Sequence, residues 1–201
     1  DGFAAGVDAH GNLSWLRQIS SVGHDKAAAV HMTSPTRALV VGTFCEGCVA
    51  GDSLDKPALA DVSFATQGGS DIFVFEVDVY GNVHELKTLG SMGNDLGMGV
   101  TPLADAGMAL SGVLGGELSI DDQLFSLGES SSSAFVARFA ADRTLQWLRT
   151  VHADQVQGVE ASLLSADMNM DIYLGGDFLG ALDLGDHHIL SAQGNKADGF
   201  I

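Results

Sequence analysis

"DIFVFEVDVYGNVHELKTL", residues 71–89, is two runs rich in β-branched and aromatic residues on either side of Asp-Val-Tyr-Gly-Asn. Alternating runs around a turn signal of this kind predict a β-hairpin. Gly81 stands where the turn demands a positive φ. The phrase returns as "DGFAAGVDAHGNLSWLRQI" (1–19), with Gly11 at the same point, and as "SAFVARFAADRTLQWLRTV" (133–151), which lacks the Gly-Asn; "DGFI" (198–201) opens it once more. Phe3, Phe73, Phe135 and Phe200 then fall in register, at spacings of about 70, 62 and 65 residues. A further block, "ALVVGTF" (38–44), recurs as "MALSGVL" (108–114) and "IYLGGDF" (172–178). Blocks that return in fixed order at such a period are the signature of stacked supersecondary units.

Each block is short, apolar or alternating, and bounded by Gly, Asn, Asp or Ser, so each reads as a strand. "QVQGVEASLLSAD" (155–167) places Val156, Val159, Leu163 and Leu164 near helical spacing. Its repeat partner "DLGMGVTPLA" (95–104) carries two glycines and a proline, which a helix would not accept, so a strand is expected here too. The expectation is an all-β fold of repeated four-stranded units, each the size of a propeller blade, within a single repeat domain 1–201. The units run over about 1–70, 71–132 and 133–197, with the next beginning at 198. The residues between the "VVGTF"-type block and the next Phe exceed what a turn needs, and an additional small hairpin is expected there.

At this point the chain resembles the bacterial β-propeller repeats called SBBP, whose units read roughly "DAFVAKLDxxGNxxW…GGSGDD…GIAV…VYVTGxF". The likeness is carried by "DGFAAGVDAHGNLSWLRQISSVGHDKAAAV…ALVVGTF" and by "GALDLGDHHILSAQGNKADGF" (180–200), and it covers nearly the whole chain. Glu85 stands where Trp15 and Trp147 stand in the other units. The resemblance implies propeller architecture and a secreted or cell-surface repeat protein without a catalytic assignment. It also implies a strand order running outward from "AAAVHMTS" through "RALVVGTF" and "DIFVFEVD" to "GNVHELKTL". In that phase residues 1–19 form an outer strand pair, and about 156–178 an inner pair followed by the stub 198–201. Strand exchange between molecules, head to tail, follows as a hypothesis, beside a longer natural chain.

Composition bounds the partners. Twenty-six acids against nine bases give a net charge of -17, so a nucleic-acid backbone, which is bound by clustered Lys and Arg, is excluded as a partner. No run has the length and apolarity of a membrane span. Protein partners, self-assembly and glycans remain. The sequence carries no initiator Met and no signal-like start, so Asp1 reads as the edge of a processed or excised segment. Cys45 and Cys48, the only two cysteines, form a CxxC. A local disulfide staple in an oxidising compartment is favoured. A redox pair would need a helix N-terminus in a βαβ context, and half a zinc site would need two more ligands.

Arg17, Lys87 and Arg149 share one repeat position, beside apolar neighbours, and Asp25, Asp95 and Asp154 recur just after it. Structural Arg/Lys–Asp pairs bracing each unit are expected. Acid-rich turns at Asp8, Asp78, Asp121, Asp122, Asp183 and Asp186 invite calcium, which takes several oxygen ligands from a loop, although no D-x-D-x-D-G pattern is present. His187 and His188 are adjacent, and on a strand they would point to opposite faces. No nucleophile elbow, H-E-x-x-H or P-loop occurs, so no catalytic residue is assigned. The function expected is a non-catalytic structural or adhesive module; the alternatives are a lectin-like rim-loop binder and, third, a two-carboxylate glycoside hydrolase.

Overall fold

The computed structural model describes residues 1–47, 66–120, 123–125, 133–153, 159–183, 189–192 and 197–201. The chain is all-β, built of several antiparallel sheets with no helix among the described residues. It divides into two compact units, Asp1–Gly97 and Met98–Ile201.

In the first unit, β1 (Gly2–Val7) and β2 (Leu13–Ile19) form a two-stranded sheet. β3 (His24–Ser34), β4 (Arg37–Glu46), β5 (Asp71–Asp78) and β6 (Val83–Leu89) form a four-stranded sheet in that order, the order that the resemblance implies. β4 is buried along its whole interior, as its near-continuous apolar run requires of a central strand covered on both faces. Val40, Phe44, Phe73, Phe75 and Ile19 form the core of this unit, with Ala4 and Trp15 of the β1–β2 hairpin packed against it. Phe73 and Phe75 lie two apart on one face with ring centroids 5.7 Å apart, an offset stack.

The second unit repeats the arrangement. β7 (Leu96–Pro102), most of which belongs to it, pairs with β8 (Met108–Leu114). β9 (Leu118–Ile120) and β10 (Gln123–Phe125) make a separate hairpin, and β11 (Ser133–Phe139) and β12 (Leu145–Ala153) complete the sheet order β7-β8-β11-β12. β13 (Val159–Ala166) and β14 (Ile172–Phe178) start another sheet, which β17 (Asp198–Phe200) joins. β15 (Ala181–Asp183) and β16 (Ile189–Ser191) form a hairpin on the outer edge of β12. The additional hairpins expected after the "VVGTF"-type block are thus present as β9–β10 and β15–β16; the corresponding stretch 48–65 lies outside the described residues. The segment with helical spacing is strand from Val159. The core here includes Val151, Ala161, Phe178 and Phe200, the repeat equivalents of Ile19, Ala27, Phe44 and Phe73, with Phe178 and Phe200 edge to face at 6.3 Å.

The repeat extends to irregularities. β1–β2, β5–β6 and β11–β12 share a register, Phe3↔Gln18, Phe73↔Thr88 and Phe135↔Thr150, and each has its bulge at the same place, Gly6/Val7, Glu76/Val77 and Arg138/Phe139. Their turns are alike. The Gly11 N–H donates to the Asp8 carbonyl at 3.0 Å and the Asp8 N–H to the Asn12 carbonyl at 2.9 Å, and Gly81 and Arg143 repeat both bonds with Asp78/Asn82 and Ala140/Thr144. This is a type I turn followed by a left-handed residue. Gly11 and Gly81 have φ of 87° and 82°, as expected; Arg143 takes the position at 66° without being glycine, and Ala106 and Met170 do the same in the turns after β7 and β13, at 64° and 69°.

Candidate functional site

The turn acids are satisfied locally. Asp8 Oδ1 accepts from the N–H groups of His10 and Asn12, and its Oδ2 from the Asn12 amide at 3.0 Å. Asp78 repeats this with Tyr80 and Asn82 and adds His84 Nε2 at 2.9 Å, a bond that, ahead of the others, holds its carboxyl well below the usual range. Asp183 lies on β15 opposite His152; Asp121, Asp122, Asp186, His187 and His188 lie outside the described residues. Among the described residues no group of three or more His, Cys, Asp and Glu side chains is placed to hold a metal ion.

The expected Arg17–Asp25 brace is not made. Asp25 accepts from the Ser21 N–H at 2.9 Å, the Ser21 hydroxyl at 2.6 Å and the Cys45 N–H at 3.0 Å, while Arg17 Nη1 donates to the Leu16 carbonyl. The physical reason is proximity. A serine four residues back reaches the buried carboxylate with two donors, and an arginine on the neighbouring strand is not needed to satisfy it. Asp95 repeats the ring with the Ser91 N–H at 2.6 Å and the Ser91 hydroxyl. Asp154, the third of the set, lies outside the described residues, as does Cys48. Cys45 is buried at the end of β4, and the described residues contain no free cysteine.

Beside Asp95 sits an acid that recurrence did not single out. Asp71, at the start of β5, accepts the Gln67 N–H on Oδ2 at 2.7 Å and is 2% exposed, and its Oδ1 has no hydrogen-bond partner among the described residues. Burial, reinforced by the charge of Asp95 and opposed by the Gln67 bond, pushes its carboxyl up to about 6. Gly90 lets the group in: a Cβ there would lie 2.2 Å from the Asp71 carboxyl carbon.

A Ser–His contact also emerges from the fold. The Ser133 hydroxyl lies 2.6 Å from His152 Nδ1, and Thr150 Oγ1 lies 2.9 Å from Nε2. A nucleophile–base pair needs an accessible serine and a third group that orients the imidazole. Ser133 is fully buried and the second nitrogen is taken by a hydroxyl, so the geometry is that of a cross-strand polar bridge.

The first unit carries a mainly apolar groove of about 560 Å³ between β1 and β3, lined among others by Phe3, Val7, Trp15, Ala29 and Met32. β1 pairs with β2 along one edge, and no described strand pairs with the other. Phe3 is 68% exposed there, whereas its repeat equivalents Phe73, Phe135 and Phe200 are 0%, 1% and 8% exposed. Each of those three faces a glycine on a neighbouring strand: Gly42↔Phe73, Gly112↔Phe135 and Gly176↔Phe200. The glycine makes room for the ring, since a Cβ on Gly42 would lie 2.6 Å from Phe73 Cζ. Phe3 has no such strand opposite it among the described residues. Neither a protein-family model nor a curated protein sequence matches the chain.

Proposed function

We propose that this chain is a non-catalytic structural or adhesive repeat module of a secreted or cell-surface protein of SBBP type, whose four-stranded sheets are propeller-type blades and which assembles head to tail by strand addition. The observation that carries the reading is the open edge of β1, with Phe3 exposed where every equivalent phenylalanine is covered. Unpaired edges of this kind template pairing with another chain. A two-stranded sheet is marginal by itself, so an added strand stabilises it. The blade reading is supported by the shared order of β3-β4-β5-β6 and β7-β8-β11-β12, by the common bulge, and by the repeated turn. A Cys45–Cys48 staple suits the oxidising compartment of the same proposal; labelling of either thiol only after reduction is the expected outcome. The test of assembly is the mass in solution by light scattering across protein concentration. Mass that rises with concentration supports the module; a monomer at every concentration refutes assembly.

A further inference from the structure

We propose that residues 67–71 and 91–95 form a pH-sensitive latch in the first unit: the two segments stay docked while Asp71 carries a proton and separate, ahead of global unfolding, when Asp71 and Asp95 are both ionised.

The docking is backbone on backbone. The Gly69 N–H donates to the Gly93 carbonyl at 2.9 Å and the Asp95 N–H to the Ser70 carbonyl at 2.7 Å. The Ser70 hydroxyl adds a bond to the Asp95 carbonyl at 3.2 Å. Glycines bring the segments this close, since a Cβ on Gly68 would run into the Ser91 carbonyl oxygen and one on Gly69 into the Asn94 side-chain oxygen. Residues 67–70 and 92–95 lie outside the strands, and Met92, the one large apolar side chain among them, is exposed. Segments held by a few hydrogen bonds and little apolar area open locally at less cost than the sheets around them.

Each segment contributes one buried carboxylate. Asp95 accepts the Ser91 N–H and hydroxyl. Asp71 accepts only the Gln67 N–H among the printed bonds of its loop, and its Oδ1 has no partner among the described residues. An oxygen so placed is tolerable on a neutral carboxyl and costly on an ionised one. Nothing that faces Asp71 offers a counter-charge. Phe44, opposite it on β4, is apolar; residues 66–70 of its own loop and 90–94 of the facing segment carry no group that titrates between acid and neutral pH; and the charge that bears on it, that of Asp95, has the same sign. Separating the segments returns both carboxylates to water and removes the cost. The closed state holds the Asp71 proton up to about pH 6, whereas an exposed carboxyl releases it near 3.8, so the closed latch is strongest below about pH 4 and weakens as pH rises through 6. The fold does not require an acid here. The equivalent residue of the second unit is Ser133, which has a partner in His152.

Hydrogen exchange resolved by residue between pH 4 and 7.5, corrected for the intrinsic pH dependence of exchange, compares the amides of Gly69 and Asp95 with those of β5 from Phe73 to Val77. The expected result is that the two latch amides are less protected than the β5 amides at every pH, and that their opening equilibrium rises about 10- to 100-fold from pH 4 to 7.5. Asp71→Asn should lose most of that rise. Far-ultraviolet circular dichroism checks the variant's fold, and Asp71→Ser, which takes the residue found at position 133, replaces it if Asp71→Asn does not fold. Latch amides that exchange only as slowly as the β5 amides show opening by global unfolding alone and overturn the proposal. A rise of equal size in the variant, or protection in the parent that is flat or grows with pH, overturns it as well.

Discussion

Replacing Asp71 by Asn should change how stability depends on pH, in a direction set by burial. The ordinary value for the group is 3.8 and burial pushes it up to about 6, so the folded state holds this proton over a range in which the unfolded chain has released it. Stability contributed by the group is therefore fully present below about pH 4 and is lost as pH rises through 6. A shift of about two units at about 1.4 kcal/mol each makes the loss roughly 3 kcal/mol by neutral pH. Asn keeps the shape and an oxygen for the Gln67 N–H, but it cannot ionise. Its amide enters the site where Oδ1 has no partner, at a pH-independent cost of about 1–3 kcal/mol. Urea titrations of both proteins between pH 4 and 7.5 measure the difference, with Trp147→Phe in both backgrounds so that Trp15 alone reports on the first unit. Titrating groups that do not interact with Asp71 cancel in that difference, whereas removing the Asp71 charge also eases the ionisation of Asp95. The variant should gain about 3 kcal/mol relative to the parent from the acid end to the neutral end. A difference that stays flat with pH, or that moves in favour of the parent as pH rises, refutes the assignment of a buried, destabilised carboxylate.

Asp25→Ala leaves the N–H groups of Ser21 and Cys45 buried without their acceptor, and a loss of about 3 kcal/mol in chemical denaturation is expected, against less than about 1 kcal/mol for Arg17→Ala. Equal losses would restore the ion-pair brace that the hydrogen bonding argues against. Gly81→Ala meets a φ of 82° and a Cβ position 2.8 Å from Trp15 Cγ, so it should lose about 1–2 kcal/mol for backbone conformation alone, with a change in Trp15 emission in the Trp147→Phe background. Ala106→Gly is the converse: at φ 64° on an exposed turn, relief of the left-handed strain outweighs the added chain entropy, and a gain of about 0.5–1 kcal/mol in thermal unfolding is expected.

These substitutions also mark what was legible in the sequence. The hairpins were, because their turns must solve a backbone problem that leaves a written trace, Gly-Asn after an acid, at Gly11 and Gly81. The same turn closed by Arg143, Ala106 or Met170 leaves no trace, since there the flanking strands hold the left-handed residue against its own preference. Asp25 and Asp95 were visible as recurrences, and Asp25 was given the wrong partner. A buried acid suggests a base, whereas Ser21 and Ser91, four residues earlier in "SVGHD" and "SMGND", satisfy it with a neutral hydroxyl and a backbone N–H. The Ser133–His152 bridge depends on a pairing between residues distant in sequence and carries no local signal, and the Asp95 charge that bears on Asp71 likewise comes from a later segment.

Phe3 shows why the groove was the least legible part. By letter and by repeat position it is the same residue as Phe73, Phe135 and Phe200, and periodicity can only predict the same burial for all of them. Its exposure arises because the covering strand comes from a different block of the repeat, the one that supplies Gly42, Gly112 and Gly176 elsewhere. A core residue whose lid is a non-adjacent strand is fixed by sheet order, a property of pairs of blocks. Where that order is interrupted, the side chain that elsewhere serves stability is left exposed.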